Sequence, residues 1–374
     1  MTVVTLKYKT GVFPSKFLPF HRGHMNAILK ASTQCETLYV CVCEGRDYDK
    51  VCETNNIKPM PLALRLRWVC QELEDFAHIK VISIDCAPED SELWSCQLHE
   101  IVPDIDVMFV GEVSYKDEFI RHYPDVDYIV YDPDRLEVDI SATEIRDNPY
   151  KHWDFMLGSV RPHFAKKVLL VGTESCGKSS LTKMLAKIFH TSWAREEGRY
   201  YADKYLGGNW DCITKEDFFR IAYEQRQIED DAIRNANKIT FFDTDSLITQ
   251  YYCEQFFGEF NDDLYVFIDP SRYDMVLIMK PDVKWVGDGT RFLGEQKMRE
   301  KLHKKVLQMY IDRGYTNIYE LGGNYEERLE VAKYLSKRLI LATPFEESNI
   351  IINDTMMLNI VNMGDYNSVR IDYI

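Results

Sequence analysis

Two histidines stand either side of Arg22 and Gly23 near the start of the chain, in the segment SKFLPFHRGH from Ser15 to His24. An apolar run precedes them and a helix-period segment follows. His21 and His24 are therefore expected on the first turn of a helix, beside its unpaired N–H groups and positive dipole end, where both rings can face one phosphate. Such a pair suits transfer of a nucleotidyl group to a nucleophile that already carries a phosphate. That reaction needs two anions aligned and charge stabilised at the α-phosphate, with little covalent chemistry. His21, His24, Lys16 and Arg146 are the candidates for this work, with Ser15 and Phe17 as further nucleotide contacts. A helix cap is the plainer reading of the HxGH element by itself. A second element, ISATEIR from Ile140 to Arg146, reads as another helix start, with Ser141 as cap and Glu144 as the capping-box acid. It adds Ser141, Thr143 and Arg146 as ligands for β- and γ-phosphates.

A different phosphate-binding pattern lies further on. Gly172, Thr173, Glu174, Ser175, Cys176, Gly177, Lys178 and Ser179 match G-x-x-x-x-G-K-[ST], followed by Ser180. The apolar strand Val168–Val171 comes before it. A helix with Leu181, Met184, Leu185, Ile188 and Phe189 on one face comes after it, as the P-loop requires. Backbone N–H groups would wrap the phosphates, Lys178 would reach the β/γ-phosphates and Ser179 would ligate Mg²⁺. Asp243, ending the apolar run from Ile239, is the second expected magnesium ligand. Glu196 and Arg199 lie in REEGR; an acid there could take the proton of a substrate hydroxyl, with Arg199 near phosphate charge. Glu196 and Asp243 both stand as candidates for the base. Trp285, Asp288 and Arg291, in WVGDGTR, suit a lid over the transferring group. Trp285 either stacks on a flat ring or belongs to the core.

These motifs need two α/β scaffolds. Strands are expected at Leu6–Phe13, Thr37–Cys43, Ile79–Ile84, Val107–Val110 and Tyr128–Tyr131, with helices between them such as Gly23–Ala31 and Pro61–Phe76. Asp147, Asn148 and Pro149 interrupt the pattern, and a domain boundary is placed near 160 to 165. A second series follows, with strands at Val168–Val171, Ile239–Phe242, Met275–Met279 and Asn317–Tyr319 and a closing helix at Tyr325–Leu339. The fold class is α/β in two domains, each a parallel sheet flanked by helices: a Rossmann-like domain over 1–160 and a P-loop domain over 165–342. Residues 343–374 form an extension of unknown role, a partner-binding segment or a disordered end, with polar clusters around the apolar run Met356–Val361.

Composition bounds the partners. The formal net charge of −15 argues against general nucleic-acid binding but leaves small anionic substrates open. No segment approaches the roughly 20 apolar residues of a membrane span, and no secretory leader is read at the N-terminus. Ten cysteines without a C-x-x-C pair are expected as buried reduced thiols of a cytoplasmic protein, with no zinc site and no disulfide framework. A homo-oligomer is left open.

HxGH with ISxTxxR resembles the nucleotidylyltransferase superfamily. With a P-loop domain directly behind it, the chain resembles the bifunctional NadR family, nicotinamide-mononucleotide adenylyltransferase fused to ribosylnicotinamide kinase. The resemblance runs from about residue 5 to about residue 340, through KFLPFHRGH, the RLRW run at Arg65–Trp68, ISATEIRDNPYKHWDF, GTESCGKSS, EEGRYY, FFDTD and WVGDGTRFLG. It implies phosphorylation of nicotinamide riboside by ATP, then joining of nicotinamide mononucleotide to AMP to give NAD and pyrophosphate, with Mg²⁺ and ATP required. His21 and His24, supported by Lys16 and Arg146, would then bind ATP phosphates, and Lys178, Ser179 and Asp243 would serve the kinase. Some members begin with a helix-turn-helix repressor domain; in this chain the first strand follows Met1 closely, so that role is not expected. The family usually has glycine where Ser15 stands, and the tail matches none of its pattern. Two rivals remain: a phosphopantetheine adenylyltransferase/dephospho-coenzyme A kinase fusion, and a non-catalytic NAD- and ATP-sensing regulator.

Overall fold

The computed structural model describes residues 6–45, 48–86, 90–111, 116–283, 296–341, 349–353, 356–362 and 367–373. The chain divides into two compact units, Met1–Phe164 and Ala165–Ile374.

The first unit runs β1 (Tyr8–Ser15), α1 (Arg22–Ser32), β2 (Cys35–Cys43), α2 (Tyr48–Thr54), α3 (Leu62–Leu73), β3 (Ile79–Ile84), α4 (Ser91–Ile101), β4 (Val107–Val110), α5 (Lys116–His122), β5 (Asp127–Val130), α6 (Ala142–Asp147) and α7 (Arg161–Phe164). Its five strands lie in the order β3-β2-β1-β4-β5, all parallel. From β1 the chain first winds to one side and then returns to the other. The crevice at the carboxyl ends of β1 and β4 is therefore the switch point where open α/β sheets bind ligands. Strand β1 starts and ends two residues later than its hydropathy suggests, because pairing sets its limits: Tyr8 faces Cys35 and Ser15 faces Val42. This carries Ser15 to the rim of the crevice. Cys41 and Cys43 share one face of β2 and pack with Trp94, Leu98 and Met108. The thiol expectation holds only in part, since seven cysteines are buried but Cys70, Cys96 and Cys212 are exposed; all ten are free.

The second unit runs β6 (Lys166–Gly172), α8 (Lys178–Ile188), β7 (Trp193–Ala194), α9 (Glu197–Tyr205), α10 (Lys215–Arg234), β8 (Ile239–Asp243), α11 (Ser246–Phe257), β9 (Met275–Met279), α12 (Gln296–Asp312), β10 (Ile318–Leu321), α13 (Tyr325–Ile340), β11 (Asn349–Asn353), β12 (Met356–Asn362) and β13 (Asn367–Tyr373). The strand order is β11-β12-β13-β10-β9-β6-β8-β7. Residues alternate between its faces. Val168, Leu170 and Phe241 pack under α8 and α13, while Leu169, Val171 and Phe242 pack under α10, α11 and α12. Such two-sided burial explains why these strands read as unbroken apolar runs. Strand β10 begins at Ile318 rather than Asn317 because Asn317 takes a left-handed conformation with φ of 52°.

The second sheet is mixed, not wholly parallel. Strands β11, β12 and β13 pair antiparallel with one another, and β13 then joins β10 in parallel. The described tail is thus built into the sheet. No helix among the described residues is long and apolar enough to cross a membrane.

Candidate active sites

In the first unit a cavity of about 340 Å³ opens at the switch point, between Ser15 at the end of β1 and Gly111 after β4. His21 caps α1: its Nδ1 accepts from the N–H groups of Gly23 at 3.1 Å and His24 at 3.4 Å. The two imidazoles stack with centroids 3.8 Å apart. His24 Nε2 lies 3.4 Å from Ser15 Oγ, and its buried Nδ1 has no hydrogen-bond partner. Phe17, itself buried, packs edge-on against His24 and Phe20 and fixes the ring from behind. Across the cavity Ser141 and Glu144 form the capping box expected from sequence. That box occupies the Ser141 hydroxyl, which donates to Glu144 Oε2 at 2.6 Å. Arg146 donates to Thr143 Oγ1 at 2.9 Å and to the Leu18 carbonyl, so it ties α6 to the HxGH loop.

Both histidines are neutral in this setting. Burial, helped by the Arg135 charge and opposed by Glu144, pushes His21 down to about 3. Burial, then His21 and Arg135, holds His24 well below its ordinary value. Folding therefore releases protons that the unfolded chain keeps below pH 6.5. This part of the stability is whole above pH 6.5 and is lost as pH falls toward 3. His21→Asn keeps a side-chain cap and removes one such group. It should flatten the fall of Tm between pH 6.5 and 4, and an unchanged slope in calorimetry would count against buried neutral histidines.

Two residues that shape this site, Arg135 and Arg65, were not among the site candidates, although Arg65 opens the RLRW run. Arg135 lines the cavity on the turn that follows β5, held by Asp132, whose carboxylate accepts from the N–H groups of Leu136 and Glu137 at 2.7 and 3.1 Å. Arg65, on α3, is fully buried. It donates to the carbonyls of Lys16 at 2.5 Å, Cys43 at 2.7 Å and Met60 at 2.8 Å and pairs with Glu44 at 2.7 Å, which fixes the backbone that carries Lys16.

The second unit holds a cavity of about 150 Å³ at the carboxyl end of β6. Gly172 and Gly177 shape the loop, at φ 146° and 87°; a Cβ on Gly172 would lie 2.9 Å from the Met279 carbonyl and one on Gly177 2.9 Å from Tyr325. Glu174, Ser175, Cys176, Gly177, Lys178, Ser179 and Ser180 line the cavity, as do Glu196 and Arg199. Gly172 and Thr173 instead line a separate small pocket with Ile248 and Tyr251. The Cys176 side chain turns into the core, so that residue offers only backbone. Lys178 Nζ donates to the Thr173 carbonyl at 3.1 Å. Burial opposes its charge, but Cys176, Glu196, Asp243 and Glu174 outweigh it and hold the ammonium above its ordinary value.

Asp243 sits beneath Ser179. Burial and then Glu196 push it up to about 6, against Lys178 and a Ser179 hydrogen bond. Its buried Oδ1 has no hydrogen-bond partner. Asp245, two residues on, faces away: it caps α11 and accepts from Tyr310 and Tyr315. Beyond the phosphate loop one wall of the cavity is apolar, with Trp210, Phe218, Ile221 and Phe256; Trp210 and Phe256 stack at 6.1 Å. Sequence reading missed this wall, whose only signal was the aromatic density of NWDCITKEDFF. Trp285, Asp288 and Arg291 fall outside the described residues.

A switch-point cavity carrying HxGH and a separate cavity carrying a P-loop define a two-unit nucleotide-handling transferase. The AAA domain family matches residues 167–328. The trifunctional NAD biosynthesis/regulator protein NadR of Escherichia coli is 30% identical over 314 residues, covering 81% of this chain and 76% of that protein. Its counterpart from Salmonella typhimurium is 28% identical over 329 residues, covering 85% of this chain and 80% of that one. The crystal structure of NadR protein in complex with NR has the same fold, with a TM-score of 0.74 at 23% identity over 92% of this chain and 99% of that one. The chain belongs to the NadR family.

Proposed function

We propose that this chain is a bifunctional enzyme of NAD synthesis, with ribosylnicotinamide kinase and nicotinamide-mononucleotide adenylyltransferase activity. The observation that carries this is the separation of the two motifs into two cavities, each at the carboxyl ends of parallel strands, in a chain of this family.

In the kinase the apolar wall of Trp210, Phe218 and Phe256 takes the flat base of the riboside and leaves its 5′-hydroxyl toward the P-loop. Glu196 or Asp243 accepts the hydroxyl proton as the 5′-oxygen bonds the γ-phosphorus. The bond from that phosphorus to the β,γ-bridging oxygen breaks and ADP leaves, with Lys178 and the loop N–H groups bearing the charge. Ser179 and Asp243 suit magnesium: both are hard oxygen donors, and Asp243 Oδ1 is buried without a hydrogen bond. The ion, when bound, would neutralise charge on the phosphates. Among the described residues no group of three or more His, Cys, Asp or Glu could hold a metal ion.

In the adenylyltransferase the mononucleotide's phosphate oxygen attacks the α-phosphorus of ATP. The bond to the α,β-bridging oxygen breaks and pyrophosphate departs. No base is needed, since the nucleophile is already an anion. His21, His24, Lys16 and Arg146 hold the two anions together and stabilise the transition state, and the bridge from Arg146 to the Leu18 carbonyl keeps the two motifs in register.

Chromatography of a reaction with nicotinamide riboside and Mg-ATP should show the mononucleotide first and NAD after it. Turnover of dephospho-coenzyme A with none of the riboside would overturn the assignment in favour of the coenzyme A fusion. Failure to form either nicotinamide product would leave a sensor.

A further inference from the structure

Helix α13 begins at the carboxyl end of β10, and one turn in it carries Arg328 on its apolar stripe, with Val331, Ala332 and Leu335. The side chain is 1% exposed. Its guanidinium finds acceptors from three separate chain segments. Nη1 donates to the Cys176 carbonyl at 2.6 Å, Nε to the Gly323 carbonyl at 2.8 Å, and Nη2 to the Lys280 carbonyl at 2.9 Å and to Asp282. Asp282 in turn accepts from the Gly323 N–H at 2.7 Å, so the exits of β9 and β10 are closed on one carboxylate. A Cβ on Gly322 would lie 2.8 Å from Asp282 Oδ2, so a larger residue there would have to displace that carboxylate.

The Cys176 carbonyl has a particular meaning. A P-loop binds phosphate through N–H groups turned inward. In a planar trans peptide the carbonyl and the next N–H point in opposite directions. Fixing the Cys176 carbonyl outward on Arg328 therefore fixes the N–H of Gly177, a residue that lines the cavity, on the opposite side. Without that anchor the peptide at Gly177, where glycine allows wide rotation, could flip and put a carbonyl oxygen against the phosphate.

The geometry points to Arg328 as a positioning residue of the kinase unit: it presets the Cys176–Gly177 peptide for anion binding and ties it to the exits of β9 and β10. This rests on the reading of the cavity as the site of ATP phosphates. A forked guanidinium can serve four acceptors at once, whereas an ammonium cannot match their fixed directions.

The full chain carrying Arg328→Lys or Arg328→Met tests this, with Mg-ADP affinity by calorimetry, riboside-kinase kinetics, adenylyl transfer and Tm read on each. Both variants should weaken Mg-ADP binding and raise the ATP KM by about ten- to a hundredfold, the worth of one lost charge-assisted hydrogen bond. The riboside KM should move less than about twofold, since that ligand makes none of these contacts, and adenylyl transfer should be unchanged. A purely structural role would move both KM values together with Tm. If Arg328→Met does not fold, Arg328→Lys decides alone. Parent-like Mg-ADP affinity and ATP KM in a folded Arg328→Lys chain would overturn the inference. Mg-ADP binding is read without any acceptor, so failure of the riboside assignment would leave this result intact.

Discussion

Replacing Lys178 with methionine is expected to lower riboside phosphorylation by a factor on the order of 10³, as loss of a preorganised charge at a transferring group does elsewhere. Methionine fills most of the same buried space, so the P-loop keeps its packing. It leaves Glu174, Glu196 and Asp243 without the cation that they surround. Asp243 also loses an influence that now holds its carboxyl down, and so becomes harder to ionise. Two deficits then combine: no ammonium for the β/γ-phosphates and a weaker magnesium ligand. Adenylyl transfer from added mononucleotide should continue at the parent's rate, because Lys178 belongs to the second unit's cavity. Separate assays on one preparation decide this. Kinase activity within about tenfold of the parent would mean that Lys178 does not stabilise the transferring phosphoryl group.

The mirror experiment is His24→Ala. It should lower adenylyl transfer by about 10²- to 10³-fold and leave riboside phosphorylation unchanged. His24 is the better choice of the pair for a structural reason. His21 caps α1 through Nδ1, so its loss would cost about 1 kcal/mol of stability as well as activity. His24 caps nothing, and Tm should fall less. A chain with normal Tm and normal NAD formation from the mononucleotide would sink the role of His24. Loss of both activities in a folded chain would mean that the sites are not independent.

Motifs that constrain the backbone were legible in sequence. GTESCGKS demands glycines where φ is positive, and Gly172 and Gly177 are in that region. Ser141 and Glu144 close the capping box that their spacing announced. What could not be read were groups whose role depends on partners distant in sequence. Arg65, Arg299 and Arg328 look like surface charges, yet all three are buried, at 0%, 1% and 1% exposure. A signal was present: each falls on the apolar stripe of its helix, as Arg328 does with Val331, Ala332 and Leu335. A charge on the buried stripe of a helix implies a partner supplied by the fold. Arg135 gave no signal at all, since an exposed arginine in a turn reads the same whether or not a cavity lies beside it. Strands in the tail were not read because its polar clusters and asparagines hid them, and their pairing, from β13 to β10, is set by tertiary structure.

That pairing has a consequence for biosynthesis. On the ribosome β10 is made before β13, and α13, β11 and β12 are made between them. Until residues 367–373 emerge, β10 is an unpaired edge of the sheet that bears the P-loop. Open edges of this kind recruit stray strands from other chains. The first unit, whose sheet is complete by β5, carries no such delay. Crowding of nascent chains should therefore penalise the phosphorylating half of this protein before the adenylylating half.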